Sequence, residues 1–298
     1  MSLPTDLLAR HPGEGVRLVL GRQLAHVVAA SKRLVVDRDP AALHALRMMA
    51  RELRVTIRAY DHLLPRPVAH RSRRHLATLI AATGLARDAE VALALVARQP
   101  GCSRAVTHAS AVWERRERRM RKCLARVVAR EVPRIERALD GALRRYRVTV
   151  SLTAPPLFLD EVRQAIDGAA QRLRDALQAG LDNESQPRAD FVLHQARLAA
   201  KRLEALLQPL ATLRTPLRVV VAQLRGFQDT VGELRDERLL QLALEGEARR
   251  CEGTLRVELE HLAATLGRGD RSTQLSVATD VLRAFRLDAT ALHAGLAA

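Results

Sequence analysis

Apolar residues recur along this chain at the three- and four-residue spacing of amphipathic helices, and the alternation typical of strands is scarce. Aromatic residues make up only 2% of the sequence, so Leu, Val and Ala must build the core. Ala, Leu and Arg are strong helix formers, and the chain is therefore predicted to be all-α. The pattern places helices over residues 15–36, 39–62, 70–82, 103–129, 133–146, 160–181, 187–209, 216–227, 234–266 and 274–297.

The predicted helices follow the same order in two halves of the chain. An uncharged segment with a Pro-Pro step, residues 148–159, is interpreted as the connector between them. The halves then span about residues 14–147 and 160–298 of a single domain that covers residues 14–298. We expect two pseudo-symmetric bundles of about four helices each, with a central cleft or pore between them.

One helix in each half carries a row of cationic or protonatable residues on a single face. Both helices fit the pattern LHxxRxxx(R/K)xL. At about 100° per residue, each row falls within an arc of roughly 80°. Like charges on one face repel each other, and we expect an anion in a shared basic cleft to relieve the repulsion. The rows contain His44, Arg47, Arg51, Arg54 and Arg58 in the first half, and His194, Arg197 and Lys201, with Arg202 beside them, in the second.

Further arginines lie on the helix that precedes an acidic motif in each half. Arg73 and Arg214 each stand 15 residues before an aspartate, Asp88 in the first half and Asp229 in the second. This spacing predicts that the arginines of these helices line the other wall of the same site. The group consists of Arg73, Arg74, Arg214, Arg218 and Arg225.

Another row of cations occurs on the long polar helix of the first half. Its members also fall within roughly 80° on a helix, whereas Trp113 and Leu124 lie on a different, apolar arc. Glu114 and Glu117 are close in sequence, so the row either lines the pore or faces solvent, and the sequence leaves both alternatives open. The row consists of Arg115, Arg119, Lys122 and Arg126, with Arg130 as its continuation.

Asp88, Asp229 and Asp236 are interpreted as structural residues that cap helices or hold arginine side chains in place. A catalytic role would need a metal-binding acidic cluster or a nucleophile beside the basic rows. The sequence has no GxxxxGK[ST], HExxH or GxSxG motif, and neither His44 nor His194 has a metal ligand four residues later. We therefore expect no enzyme activity, no metal and no cofactor.

The charge of the chain supports an anionic partner. Its 298 residues carry a formal net charge of +16, and the pI is about 11.3. Only three of the 49 cationic residues are lysines. This ratio fits phosphate recognition, because arginine binds phosphate bidentately and stays charged. Arginine-rich codon usage is the alternative explanation for the ratio, but it does not account for the net charge.

The remaining sequence features predict a cytoplasmic protein. Cys102, Cys123 and Cys251 are far apart and form no metal-binding pattern, and their sparse, odd number fits a reducing compartment. The N-terminal residues lack the basic and apolar regions of a signal peptide. No uncharged apolar run approaches the ~20 residues that a transmembrane helix needs. No membrane contact is expected.

Two further motifs complete a resemblance to a known family. Residues 87–91 read RDAEV after the first basic helix, and residues 228–236 read QDTVGELRD after the second. With the two histidine helices, these motifs resemble the CHAD family, the conserved histidine α-helical domain, from about residue 14 to the C-terminus. Glu52 and Glu204 depart from the family pattern, which has basic residues there.

The residues by themselves indicate a binding site for a polyanion, with phosphate as the best fit to the arginine rows. The resemblance implies inorganic polyphosphate as the partner, association with polyphosphate granules and contact with granule proteins. Nucleic-acid binding is an alternative, but seven aromatic residues leave few platforms for base stacking, so only non-specific binding is expected. A metal-dependent hydrolase of polyphosphate or triphosphates is a third hypothesis.

Overall fold

The computed structural model describes residues 3–37, 39, 41–99, 103–144, 156–181, 186–266, 285, 287 and 289–297. These residues form nine α-helices and two short 3-10 helices without any strand, which confirms the predicted all-α class. No helix in these ranges is long and apolar enough to cross a membrane. The α-helices are α1 (Pro12–Val35), α2 (Ala42–Ala59), α3 (Arg66–Ala97), α4 (Arg104–Arg144), α5 (Phe158–Leu181), α6 (Gln186–Ala211), α7 (Thr215–Ala248), α8 (Gly253–Leu266) and α9 (Ala289–Leu296), and the 3-10 helices are Leu7–Ala9 and Asp61–Leu63.

Several predicted helix ends are wrong. α4 continues through Pro133, where the sequence suggested two separate helices. α3 and α7 continue through the acidic motifs, which the sequence placed between helices. Packing of α3 along α4, and of α7 against α6 and α8, outweighs the local breaking signals. Asp88, Asp229 and Asp236 consequently lie inside helices, and the capping role predicted for them is wrong.

Two sequence predictions fall largely on residues outside the described ranges. The predicted connector, residues 148–159, is described only from residue 156 onward, and α5 already begins at Phe158. Most of the final predicted helix, residues 274–297, also lies outside the described residues, apart from α9 at its end.

The main hydrophobic core joins the two halves of the chain. Leu46 and Leu53 of α2 and Ala200 and Leu207 of α6 are fully buried in one apolar cluster. Corresponding helices of the two halves pack against each other, α1 on α5, α2 on α6 and α3 on α7. The two histidine helices are therefore direct neighbours, and their basic rows run along one interface.

A second apolar cluster lies away from the main core. It contains Trp113 of α4, Leu244 of α7 and Leu259 of α8, with small residues from the C-terminal part of α3. This cluster fixes the N-terminal part of α4 against α3 and α8, because the apolar side of α4 is buried there. The opposite side of α4 remains exposed.

Candidate anion-binding site

A cavity of about 650 Å³ opens between α2, α5 and α6. Its volume is within the range of ligand-binding sites in proteins. Glu161 is the only carboxylate among its described lining residues, and it accepts a hydrogen bond of 2.9 Å from Nε2 of His62. The lining is therefore strongly positive. Its cations are Arg51, Arg54 and Arg58 of α2, Arg172 of α5, and Lys201 and Arg202 of α6.

Two of the lining residues, Arg51 and Lys201, also belong to a group of arginine, lysine and histidine residues that we call the central cluster. Burial, followed by the charges of Arg197, Arg51 and Arg47, lowers the pKa of Lys201 from 10.5 to about 7. Burial and the charge of Arg47 lower the pKa of Arg51 to about 10. These mutual effects place the rows of both halves in one site, where the charges of Asp88, Asp229 and Asp236 offset the positive charge only in part. The cluster consists of His44, Arg47, Arg51, Arg87, His194, Arg197, Lys201 and Arg235.

Arg47 and Arg197 are held by glycines of the following helices. A Cβ atom on Gly84 would lie 2.6 Å from Nη1 of Arg47, and a Cβ atom on Gly232 would lie 2.6 Å from Nη2 of Arg197. Each guanidinium group thus lies against the helix in the space that a side chain at the glycine position would occupy. Nη1 of Arg47 also donates a hydrogen bond of 3.2 Å to the carbonyl oxygen of Ile80.

These glycines begin a repeated pattern, GxxRD, at residues 84–88 and 232–236. The charge of Asp88 opposes the lowering of the Arg47 pKa, and Asp236 does the same for Arg197. Asp88 therefore corresponds to Asp236. The sequence interpretation paired Asp88 with Asp229 instead, because it overlooked the shared glycine.

The GxxRD pattern also supplies two cations that the sequence interpretation missed. Arg87 on α3 lowers the pKa of His44, and Arg235 on α7 lowers the pKa of His194. Each arginine directly precedes the aspartate of its pattern. The repeat of GxxRD at a spacing close to that of the histidine helices was the signal that could have identified both residues.

The histidines occupy the same cluster as neutral groups. Nη1 of Arg235 lies 2.7 Å from Nδ1 of His194. Because a guanidinium group only donates, Nδ1 accepts and the ring proton of His194 resides on Nε2. Burial is the main cause that lowers the pKa of both His44 and His194. For His194 the structure therefore favours an uncharged ring that can donate a hydrogen bond through Nε2.

One wall of the cavity comes from a helix that sequence reasoning did not include. Arg172 on α5 lines the cavity and, with Arg58 and Arg54, lowers the pKa of Arg202 after the larger effect of burial. A sequence signal existed, because Arg22 and Arg172 each stand 22 residues before the histidine of their half. The site was predicted from single-helix rows, and this arginine belongs to no row.

The arginines at the start of α7 have other partners. Nε of Arg225 donates to Oε1 of Glu204 at 2.7 Å, and Nε of Arg218 donates to the carbonyl oxygen of Ala211 at 2.9 Å. Arg214 is half-buried at the N-cap of α7. The predicted second wall is not formed by these residues, and α5 takes that place.

The corresponding arginines of α3 also lie outside the cavity. Nη1 of Arg73 contacts Oδ2 of Asp61 at 3.2 Å, and Arg73 lines a separate cavity with His70. Arg74 is exposed, and only its carbonyl oxygen accepts a hydrogen bond, from Thr78. The expectation that Arg73 and Arg74 line the site is therefore not met.

The cation row of α4 faces solvent. All four of its members, Arg115, Arg119, Lys122 and Arg126, are exposed. On a helix with about 100° per residue, their arc lies opposite the buried residues of α4. Of the two alternatives left open by the sequence, the structure therefore excludes the pore wall.

Comparison with known proteins identifies the family of this chain. The family model of the CHAD domain matches residues 18–245, so the chain belongs to the CHAD domain family, and the resemblance is confirmed. The structure is similar to the crystal structure of the CHAD domain from the plant Ricinus communis, with a TM-score of 0.71, 18% identity and 96% of each chain covered.

A second solved structure, PptA from Streptomyces chartreusis, gives a TM-score of 0.62 and 20% identity, with 95% of this chain and 100% of that chain covered. At such identities, both likenesses show the fold only. No curated protein gives a significant match.

Proposed function

We propose that this protein binds inorganic polyphosphate without cleaving it, and that this binding directs it to polyphosphate granules. The observation that carries the proposal is the cavity lining, in which six cationic side chains from both halves face a single carboxylate. A chain of phosphates supplies a negative charge at every repeat. It can therefore neutralise a row of cations without groups that recognise a base or a sugar.

The electrostatics of the central cluster support an anionic ligand. Lys201 has a pKa of about 7 because burial and the neighbouring cations disfavour its protonated form. A bound phosphate would stabilise the protonated form of Lys201 and would accept charge-assisted hydrogen bonds from arginine. Release of counterions from the polymer adds to the binding free energy.

The surroundings of the aspartates support a non-catalytic site. Asp88 and Asp236 lie among Arg47, Arg197 and Arg235, and their charges oppose the lowering of the arginine pKa values. Burial, with the charge of Asp88, raises the pKa of Asp236 itself. The described residues contain no group of three His, Cys, Asp or Glu side chains that could hold a metal ion. Two roles were predicted for these aspartates, helix capping and the positioning of arginine side chains. Because both residues lie inside helices, positioning is the role that we propose.

Reversal of two central charges tests the proposal. In Arg51→Glu/Lys201→Glu, both new carboxylates would be surrounded by cations, so the fold should persist. Two charge-assisted hydrogen bonds are worth about 1.5–3 kcal/mol each, and polyphosphate affinity should fall at least about 100-fold. Calorimetric titration at several salt concentrations, with duplex DNA as competitor, measures this loss.

Arg71→Glu/Arg174→Glu, at exposed positions on α3 and α5 that do not line the cavity, is the matched control, since both double variants lower the formal charge by four. It should retain nearly all of the polyphosphate affinity. Equal losses in the two variants would reduce the site to a diffuse charge effect. Release of orthophosphate by the wild-type protein with Mg²⁺, abolished in Asp88→Ala, would contradict the non-catalytic assignment.

A further inference from the structure

The exposed cations of α4 form a second basic surface that the central cluster does not include. We call this surface the outer ridge and define it by Arg115, Arg119, Lys122 and Arg126. The ridge points away from the core, since the buried residues of α4 lie on the opposite side of the helix. At 1.5 Å per residue, it extends over about 16 Å.

The outer ridge has no carboxylate partners among the described residues. The two glutamates nearest in sequence are engaged elsewhere, Glu114 with Arg118 and Glu117 with Arg121. Those contacts lie to one side of the ridge. The described ion pairs include none of the four ridge cations, so the ridge presents their full charge to solvent.

The side chains around the ridge indicate the kind of partner. Protein interfaces are usually anchored by large apolar or aromatic side chains. The exposed large apolar residues of the described chain lie on other elements, and Trp113 of α4 is buried. The absence of exposed aromatic rings from the described α4 also leaves no platform for unpaired bases.

Phosphate groups in a regular backbone fit the remaining features. Three of the four ridge residues are arginines, which bind phosphate bidentately. An α-helix is narrow enough to enter the major groove of a DNA duplex, where its flanking cations reach phosphates. No Asn or Gln, the residues that pair with adenine through two hydrogen bonds, occurs from Arg115 to Arg126.

We propose that the outer ridge is a second anion-binding surface, separate from the central cluster, which contacts the phosphate backbone of duplex nucleic acid without recognising its sequence. This inference stands independently of polyphosphate binding. One molecule would thus present two phosphate-binding surfaces, one within the cleft between its halves and one on its exterior.

The test measures the affinity of the full chain for a random-sequence DNA duplex over a series of salt concentrations. Each phosphate contact adds about 0.9 to the slope of log K against log salt. Arg119→Glu/Lys122→Glu should therefore make the slope less steep by about 1.8 and lower the affinity at least about tenfold. Circular dichroism checks the fold, which exposed helix positions should preserve.

The control Arg71→Glu/Arg174→Glu has the same charge change at exposed positions on α3 and α5. It should lower DNA affinity much less than the ridge variant. Equal effects of the two variants would refute a localised surface. A ridge variant that loses polyphosphate affinity while it keeps DNA affinity would assign the ridge to polyphosphate and would also overturn the inference.

Discussion

Glu52 and Glu204 occupy positions where the family pattern has basic residues, and the structure brings them close to each other. Glu204 is only 3% exposed and accepts hydrogen bonds from Nε of Arg225 at 2.7 Å and Nε2 of Gln228 at 3.0 Å. Burial and the charge of Glu204 raise the pKa of Glu52 to about 7. Glu204 thus keeps Arg225 out of the anion site, while ionisation of Glu52 is disfavoured.

Replacement of Glu52 should stabilise the protein above neutral pH. Its folded pKa is about 7, against 4.5 for the ordinary group, so the unfolded chain ionises first. The free energy of unfolding therefore falls as pH rises from about 4.5 to about 7. Glu52→Gln removes this penalty and should add on the order of 1–3 kcal/mol at pH 8, with little change at pH 4.5. Urea unfolding at both pH values measures the difference.

Glu204→Gln provides the contrast. A neutral amide there would leave the guanidinium of Arg225 without its carboxylate partner, and the variant should be less stable than wild type at both pH values. A stabilised Glu204→Gln variant, or an effect of Glu52→Gln that does not depend on pH, would disprove this account of the pair.

At the scale of elements, α3 and α7 serve the anion site through their glycines. Gly84 and Gly232 leave the helix surface open where the guanidinium groups of Arg47 and Arg197 lie. Glycine inside a helix costs about 1 kcal/mol relative to alanine. The chain accepts this cost in both halves, and the gain is the placement of two arginines.

Gly84→Ala/Gly232→Ala should therefore separate stability from binding. Alanine favours the helix, while its Cβ would displace the flexible end of each arginine rather than backbone. We expect an unchanged or higher melting temperature and a polyphosphate affinity lowered about tenfold, since misaligned charge-assisted hydrogen bonds are weak. Thermal unfolding and calorimetric titration of the same samples measure both effects.

Gly226→Ala is the matched control, because Gly226 also lies on α7 and a Cβ atom there would meet nothing within 4 Å. It should raise stability and leave polyphosphate affinity unchanged. If the two-glycine variant bound polyphosphate as tightly as the control, the contact of Arg47 and Arg197 with these glycines would have no part in binding.

The helical segments were largely predictable from the 3.6-residue period of apolar positions. The helix predicted over residues 234–266 is wrong, because the structure divides it at residues 249–252 into the end of α7 and the separate helix α8. The ends failed where local and tertiary preferences disagree. Pro133 and the acidic motifs are ordinary breaking signals, but the helices that carry them are packed along most of their length. The sequence of one segment does not indicate how the helix packs against its neighbours in the folded chain.

The residues of the candidate site could likewise be predicted from the sequence only in part. Arg47, Arg51 and Lys201 were predicted, because they share one face of a helix and periodicity is a property of the sequence. Arg87, Arg172 and Arg235 reach the site from other helices, and only tertiary packing brings them there. Positive charge in the sequence did not by itself distinguish the cations of the cleft from those on the exposed surface. The outer ridge is an example, because its cations were also candidates for the pore wall.

At the scale of the whole molecule, the anion site depends on contact between the two halves. Arg51 comes from the first half and Lys201 from the second. Burial and then the charges of Arg197 and Arg51 lower the pKa of Lys201, and burial and then the charges of Arg47 and Arg197 lower the pKa of Arg51. The cluster is therefore repulsive without a ligand. The protein compensates with one apolar core that joins both halves, so the cations are held together before the anion arrives.

This repulsion should make polyphosphate binding depend on pH. Lys201 has a pKa of about 7 because burial and the charges of Arg197, Arg51, Arg47 and Arg235 oppose its ammonium form. Bound phosphate favours that form and raises the pKa toward the ordinary 10.5. Binding then takes up a proton above pH 7, and the affinity should fall by up to about tenfold per pH unit between pH 7 and pH 9.

Lys201→Arg tests this origin directly, because arginine keeps its charge throughout that range. The variant should bind polyphosphate with nearly constant affinity from pH 7 to pH 9, while wild type loses affinity. Calorimetry in buffers of different ionisation enthalpy should detect about one proton taken up by wild type at pH 8 and none by the variant. A variant with the pH dependence of wild type would show that another group titrates, and constant affinity in both proteins would show that Lys201 is already charged in the free cleft.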